Sequence, residues 1–205
     1  MVSKSFPLKV SYITAFITRA DIAIPSTLLM VWMVSVAHKF GYTPIQATAR
    51  GGFIMMVGSL VGLFSFSAIG ILLDRIGRTP VLIGTLLIAG VGYFFIAITQ
   101  NPFSPWMFVF VSILGFGKNG AIVASNTLAS DAAPQPMLGS IFGGLNTVGT
   151  LGIVLFLQGC GYLFDTFSSG DAFLFKGVVN LLGGIWVWAV KGRINADPHG
   201  EQAEV

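Results

Sequence analysis

Long stretches of this chain carry no charged side chain, and they constrain its fold more than any other feature of the sequence. Residues 51–73, 79–117 and 132–164 contain no Asp, Glu, Lys or Arg. A helix needs roughly 20 mostly apolar residues to cross the hydrocarbon core of a bilayer. Each stretch is therefore long enough for at least one membrane-spanning helix.

Composition excludes a soluble domain and several classes of function. Charged residues make up 9% of the 205 residues and apolar residues 54%, whereas about a quarter of a soluble domain is charged. The basic residues behind the net charge of +3 are dispersed between apolar runs, so nucleic acid is not an expected partner. Because Cys160 is the single cysteine and His38 and His199 are isolated, we expect no disulfide, metal or other cofactor.

Turn residues divide the apolar stretches into six helices. Residues 100–105 contain two prolines and an asparagine, and residues 132–136 contain two further prolines. The predicted spans are about 10–36, 51–73, 80–99, 106–130, 138–164 and 173–190. They predict an all-α integral membrane domain over residues 1–194, followed by a polar, disordered tail over residues 195–205. Strands of a membrane β-barrel alternate between apolar and polar residues, whereas these runs are continuously apolar, so a barrel is disfavoured.

Basic residues at the ends of the spans predict the orientation. The side that holds both termini would carry six of them: Lys4, Lys9, Arg75, Arg78, Lys191 and Arg193. The other side would carry three: Lys39, Arg50 and Lys176. Because Lys and Arg are enriched in cytoplasmic loops, we expect a multi-pass protein of the cell membrane with both termini in the cytoplasm. A cleaved signal peptide is disfavoured because Arg19 and Asp21 interrupt the first apolar run.

The connection between the second and third spans reads Gly-Ile-Leu-Leu-Asp-Arg-Ile-Gly-Arg over residues 70–78. Gly70 would allow close approach of helices, and Gly77 would permit a tight turn. Asp74, near a helix C-terminus, needs a cation such as Arg78 or the N-terminus of another helix. The segment predicts a conformational latch formed by Gly70, Asp74, Arg75, Gly77 and Arg78. An ordinary basic loop would explain the arginines but not the glycine spacing.

This motif resembles the signature of the major facilitator superfamily, which lies between the second and third helices of that fold. The match covers Gly70, Asp74, Arg75, Gly77 and Arg78, and the chain departs from it at Thr79, where a basic residue is usual. The resemblance implies one six-helix half, with the C-terminal half favoured, of a twelve-helix bundle. It also implies a partner, either a second six-helix half or a second copy. The fifth span lacks the antiporter Gly-Pro pattern, so symport and antiport both stay open.

Three charged residues lie deep in the predicted spans: Arg19 and Asp21 in the first and Lys118 in the fourth. Each costs roughly 2.5–3.5 kcal/mol at the centre of a spanning helix. Arg19 and Asp21 are two residues apart and so are poor partners for each other. Pro25 cannot donate a hydrogen bond to the carbonyl of Asp21, which favours a free carbonyl beside that carboxylate. The alternative explanation of these charges is mutual neutralisation for packing, without a role in transport.

Together these features predict a secondary transporter of a small polar or anionic solute, coupled to protons. Asp21 would carry the proton, Arg19 and Lys118 would hold an anionic group, and Asn119 would be a polar neighbour. In the resembled superfamily the first and fourth helices of each half line the central cavity, and these are the helices with the buried charges. The alternative is a six-helix membrane protein that does not transport, either a fragment or an accessory subunit.

Enzymatic classes are disfavoured. Residues 115–120 match Gly-x-Gly-x-x-Gly, but they lie within a membrane span rather than between a strand and a helix. These glycines would instead allow the fourth span to pack closely. The sequence has no ATP-binding motif, and the expected spans lack the residues of an intramembrane protease. Membrane lipid and a small solute are the expected contacts.

Overall fold

Six apolar helices long enough to cross a membrane make up the computed structural model, which describes residues 5–196. The first span consists of α1 (Phe6–Ile24), a π-helical turn (Pro25–Leu29) and α2 (Met30–Ser35). The other spans are α3 (Pro44–Ile76), α4 (Arg78–Ile98), α5 (Trp106–Ala132), α6 (Leu138–Thr166) and α7 (Ser169–Ala196). The predicted all-α membrane fold with six spans is confirmed. The tail beyond residue 196 lies outside the described residues.

Most helices extend past the spans predicted from the charges. α3 begins at Pro44 because Thr43 and Gln46 form a reciprocal capping box, so Arg50 lies inside the helix. α7 begins at Ser169 rather than near residue 173. The prediction that Lys176 belongs to the basic residues at the membrane surface is therefore wrong: this residue is inside α7 and fully buried. Without Lys176 in the count, the side that holds the termini would carry six basic residues and the other side two. The expected excess on the side of the termini is therefore larger.

Helix packing places α1 at the centre of one side of the bundle. α1 lies against α5, α6 and α7, and α4 lies between α5 and α7. α3 contacts mainly α5 and exposes large apolar side chains such as Phe53, Leu63 and Phe64. α6 also exposes an apolar face, which includes Leu151 and Leu155. Two helices of the bundle therefore keep broad surfaces free for lipid or another protein.

Glycines bring the helix backbones close together where α5 crosses its neighbours. A Cβ atom at Gly115 would lie 2.5 Å from the carbonyl oxygen of Gly58 on α3, and one at Gly117 would overlap the backbone of Ala89 on α4. The packing interpretation of these glycines is confirmed. α6 uses the same device, because Gly152 lies directly against the carbonyl group of Phe16 on α1.

We expect Gly152→Ala to destabilise the bundle by about 1–3 kcal/mol, the usual cost of overpacking. The added methyl group would overlap the Phe16 carbonyl, which belongs to rigid helix backbone. Gly159→Ala on the same helix is the matched control, since no atom lies within 4 Å of its Cβ position. Thermal unfolding of the purified variants in detergent measures the difference. Equal stability of the two variants would contradict the close α1–α6 contact.

Candidate functional site

An ion pair lies in the interior of the bundle, between α1 and α7. The ammonium group of Lys176 lies 2.5 Å from Oδ1 of Asp21. Lys176 also donates a hydrogen bond of 2.6 Å to Oδ1 of Asn180, one turn further along α7. The amide of Asn180 in turn donates to Oδ2 of Asp21 at 3.0 Å. All three side chains are fully buried, so they form a closed triad that we call the α1–α7 triad.

Aromatic rings enclose the cation of this triad. Nζ of Lys176 lies 5.6 Å from the centre of the Tyr93 ring on α4 and 5.3 Å from that of Phe156 on α6. Both distances suit an attraction between the ammonium group and the faces of the rings. The buried Tyr93 hydroxyl lies close to Asp21 and interacts with its carboxylate. Helices α1, α4, α6 and α7 therefore all meet at the triad.

The sequence contained a signal for Lys176 and Asn180 that was overlooked because the spans were placed in the intervals between charged residues. Lys176 is the single charged residue within the apolar run 172–190, and Asn180 lies four residues further on, on the same face of a helix. The predicted span 173–190 contained Lys176, but we counted this residue with the basic residues at the end of the span instead of as an interior charge. A lysine inside an apolar helix is better explained by a buried carboxylate partner.

The backbone of the first span changes its winding next to the triad. Pro25 opens a π-helical turn that runs to Leu29, and its ring cannot supply the hydrogen bond that an α-helix needs. The hydroxyl of Ser26 donates to the carbonyls of Ile22 and Ala23, both at 3.0 Å. Such π-helical turns are frequent at functional sites. The irregular turn begins one helical turn after Asp21.

Arg19 and Lys118 are half-buried and are not members of the triad, although Lys118 is near enough to Asp21 to interact with its charge. Nη2 of Arg19 donates to Oδ1 of Asn126 on α5 at 3.3 Å, and the stem of Arg19 packs against Gly149 of α6. Lys118 has neither a hydrogen bond nor an ion pair among residues 5–196. It borders a cavity of about 10 Å³, the size of one water molecule.

Asn119 lies where α5 packs against α3. Its amide lies against Gly62 of α3, where an added Cβ atom would overlap it. The structure thus pairs Asp21 directly with Lys176, whereas Lys118 interacts with Asp21 only at longer range. It places Asn119 at the α3–α5 contact. The roles of these residues in transport stay predictions.

The 70–78 motif forms the tight turn between α3 and α4. Gly77 has a φ of 90°, which favours glycine. Arg78 contacts Asp131 at the end of α5 with a distance of 2.6 Å between Nε and Oδ2, and it donates to the carbonyl of Leu73 at 3.1 Å. Asp74 lies 3.9 Å from Arg78, and its side chain is 80% exposed. Asp131, which sequence reasoning missed, is therefore the main partner of Arg78.

Other residues of this motif differ from expectation or lie at the surface. No atom lies within 4 Å of a Cβ position at Gly70. The expected close helix approach at Gly70 is therefore wrong within the described chain. Arg75 is exposed. The side chain of Asp74 thus lies at the surface of the bundle, with Arg78 at 3.9 Å.

Comparison with known proteins identifies the family. The model of the Major Facilitator Superfamily matches residues 11–204. The chain belongs to this superfamily. Its relatives include the magnetosome protein MamH of Paramagnetospirillum magneticum, which is 26% identical over 96% of this chain and 46% of its own length. The magnetosome protein MamZ of Magnetospirillum gryphiswaldense is 33% identical over 85% of this chain and 27% of its own length.

A third relative is the MFS-type transporter YdeG of Bacillus subtilis, 26% identical over 82% of this chain and 39% of its own length. The chain therefore spans about half the length, or less, of the superfamily members that it matches. Its six helices and its tight turn at Gly77 agree with one half of the superfamily fold.

Proposed function

We propose that this chain forms one six-helix half of a proton-coupled secondary transporter for a small polar or anionic solute. The observation that carries the proposal is the fully buried Asp21–Lys176 ion pair. A buried pair is often no more stabilising than apolar residues of similar size. Ionisable residues within membrane spans commonly mark the pathways of ions, protons or substrates.

Protonation of Asp21 would change the forces between α1 and α7. An ionised Asp21 balances the charge of Lys176 at 2.5 Å, whereas a neutral carboxyl group leaves that cation buried without a counter-charge. The α1–α7 contact would then weaken beside the π-helical turn that follows Pro25. Uptake of the proton in one state and its release in another would couple proton movement to a rearrangement of the bundle.

A complete pathway needs a second bundle. Halves of this kind of transporter enclose their binding site at the interface between two six-helix units. Arg19 and Lys118 are half-buried rather than enclosed, so a covering unit would shield them from lipid. We propose that a second six-helix half or a second copy of this chain supplies this unit.

Uptake into membrane vesicles tests the proposal. The vesicles should hold the chain together with its covering unit. An inward proton gradient should drive accumulation of the solute, and collapsing that gradient with an ionophore should leave equilibration only. Intact complexes that never accumulate or equilibrate a solute would favour the alternative, a six-helix fragment or accessory subunit that does not transport.

We expect Asp74→Asn to shift the balance between inward-facing and outward-facing states. The Asp74 carboxylate is exposed and only weakly engaged by Arg78, so it can bind a helix N-terminus of the covering unit. Stability should change by less than about 1 kcal/mol, as for surface charge pairs. Accessibility labelling of cysteines placed on either side of the pathway measures the balance. Asp165→Asn, also exposed, is the control, and identical labelling of both variants would contradict the latch.

We also propose a location. The expected location of the chain is the cell membrane, with both termini in the cytoplasm. MamH and MamZ are magnetosome proteins by name, so the magnetosome membrane is the second location to test. Fractionation of cells that express the tagged chain would separate the two.

A further inference from the structure

Buried hydroxyl groups form a stripe along α1 that ends at Asp21. Ser11, Thr14, Thr18 and Asp21 follow one another at intervals of three or four residues, which places them on one face of the helix. Each of these four residues is 1% exposed or less. Ser11 lies five residues after Phe6, where α1 begins. The stripe therefore runs from near the N-terminal end of α1 to the interior carboxylate.

Helix α5 adds a hydroxyl group to this stripe. The hydroxyl oxygens of Thr14 and Ser125 lie 2.8 Å apart, and Ser125 also donates to the carbonyl of Ser11 at 3.2 Å. Because Ser125 is 1% exposed, this contact between the two helices is closed to lipid and bulk solvent. The stripe thus comprises four buried hydroxyl groups, those of Ser11, Thr14, Thr18 and Ser125.

The hydroxyl group of Thr18 lies between this contact and Asp21. Thr18 is four residues from Thr14 and three from Asp21, roughly 6 Å and roughly 4.5 Å along the helix axis. Hydroxyl groups within helices commonly donate to a carbonyl of the preceding turn, as those of Ser11 and Thr14 do. The Thr18 hydroxyl has no hydrogen-bond partner among residues 5–196. A buried hydroxyl group without a partner is unfavourable, so we expect a water molecule to bind there.

Titratable groups from four helices surround Asp21 at the other sides. They are Lys176 of α7, Tyr93 of α4, Lys118 of α5 and Cys160 of α6. These groups influence the charge of Asp21. The stripe differs from them because it extends roughly 15 Å along α1, at 1.5 Å per residue. It therefore connects the carboxylate with the N-terminal end of the helix through polar groups.

We propose that the four hydroxyl groups of the stripe form a proton relay between Asp21 and the membrane surface at the N-terminal end of α1. Each hydroxyl oxygen accepts one proton and releases its own proton to the next group, so it ends unchanged. The carboxylate of Asp21 takes the last proton. A water molecule beside Thr18 bridges the distances to Thr14 and Asp21. The inference rests on the proposed function, because it assigns the path of the proton that Asp21 takes up.

Time-resolved infrared spectroscopy tests the relay without a solute. After a rapid drop in pH, the purified complex of the full chain with its covering unit should show the carbonyl band of protonated Asp21, which Asp21→Asn lacks. Thr18→Val keeps the side-chain shape and should delay this band about tenfold or more, since positioned proton carriers contribute large rate factors. Ser125→Ala should also delay it. The matched control is Thr127→Val, whose wild-type hydroxyl donates to the carbonyl of Val123, and it should leave the rate unchanged.

Thr18→Ser guards against loss of folding, because it keeps the hydroxyl group and should retain most of the wild-type rate. Protonation at the wild-type rate in both Thr18→Val and Ser125→Ala would overturn this inference alone, and so would a Thr18→Ser protein as slow as Thr18→Val. A folded wild-type complex in which Asp21 never takes up a proton would overturn both the relay and the proposed proton coupling. Delayed protonation in a complex that transports nothing would overturn the proposed function and leave the relay standing.

Discussion

Replacing Lys176 with Met is expected to destabilise the bundle by about 3–5 kcal/mol, the cost of removing one partner of a buried ion pair. Methionine preserves much of the side-chain volume, so a cavity is not the cause. The loss arises because the Asp21 carboxylate would stay fully buried without a cation, with only the neutral side chains of Asn180 and Tyr93 beside it. Chemical or thermal unfolding of the purified protein in detergent measures the change. Lys39→Met, at an exposed site, should change stability by less than about 0.5 kcal/mol.

The double variant Asp21→Asn with Lys176→Met separates the ion pair from general packing. It removes both charges, so most of the stability lost in Lys176→Met should return. The unfolding free energies of the wild type, Asp21→Asn, Lys176→Met and the double variant give the coupling energy between the two side chains. A Lys176→Met protein as stable as the wild type would show that the pair does not hold α1 against α7.

Asp21→Asn is expected to abolish accumulation of solute against a gradient while exchange of solute across the membrane continues. Asparagine keeps the shape of the side chain and can still accept a hydrogen bond from Lys176, but it cannot take up a proton. A variant that exchanges solute is folded and able to change state, so its loss of accumulation reports coupling alone. Uptake and exchange in vesicles measure the two activities separately.

The control for this second prediction is Asp165→Asn, which removes an exposed carboxylate at the end of α6. It should accumulate solute like the wild type. Full proton-driven accumulation by Asp21→Asn would contradict a role of Asp21 in coupling and would return the α1–α7 triad to a purely structural function.

The number of spans and the class of fold could be predicted because the bilayer imposes a length on each apolar run. The turn at Gly77 was predictable for a similar reason, since a local motif determines local backbone geometry. The ends of the helices were less predictable. α3 and α7 extend beyond charged residues because helices contain charges near their ends, and a buried lysine can belong to the interior.

The sequence pattern could not predict which charged side chains pair between helices. The position of Asp21 at mid-membrane showed that it needs a partner, but the partner comes from Lys176, more than a hundred residues away along the chain. Arg78 illustrates the same limit, because it binds Asp131 at the end of α5 more closely than the neighbouring Asp74. Such contacts depend on the mutual packing of helices, which periodicity within one helix does not specify.

The most direct test of the central claim is proton movement that depends on solute. Vesicles holding the chain with its covering six-helix unit, and a pH-sensitive dye inside, should show a change of internal pH when the solute is added outside. The Asp21→Asn vesicles should show none, although they still exchange the solute. Solute transport by the wild type without any accompanying proton movement would contradict the account.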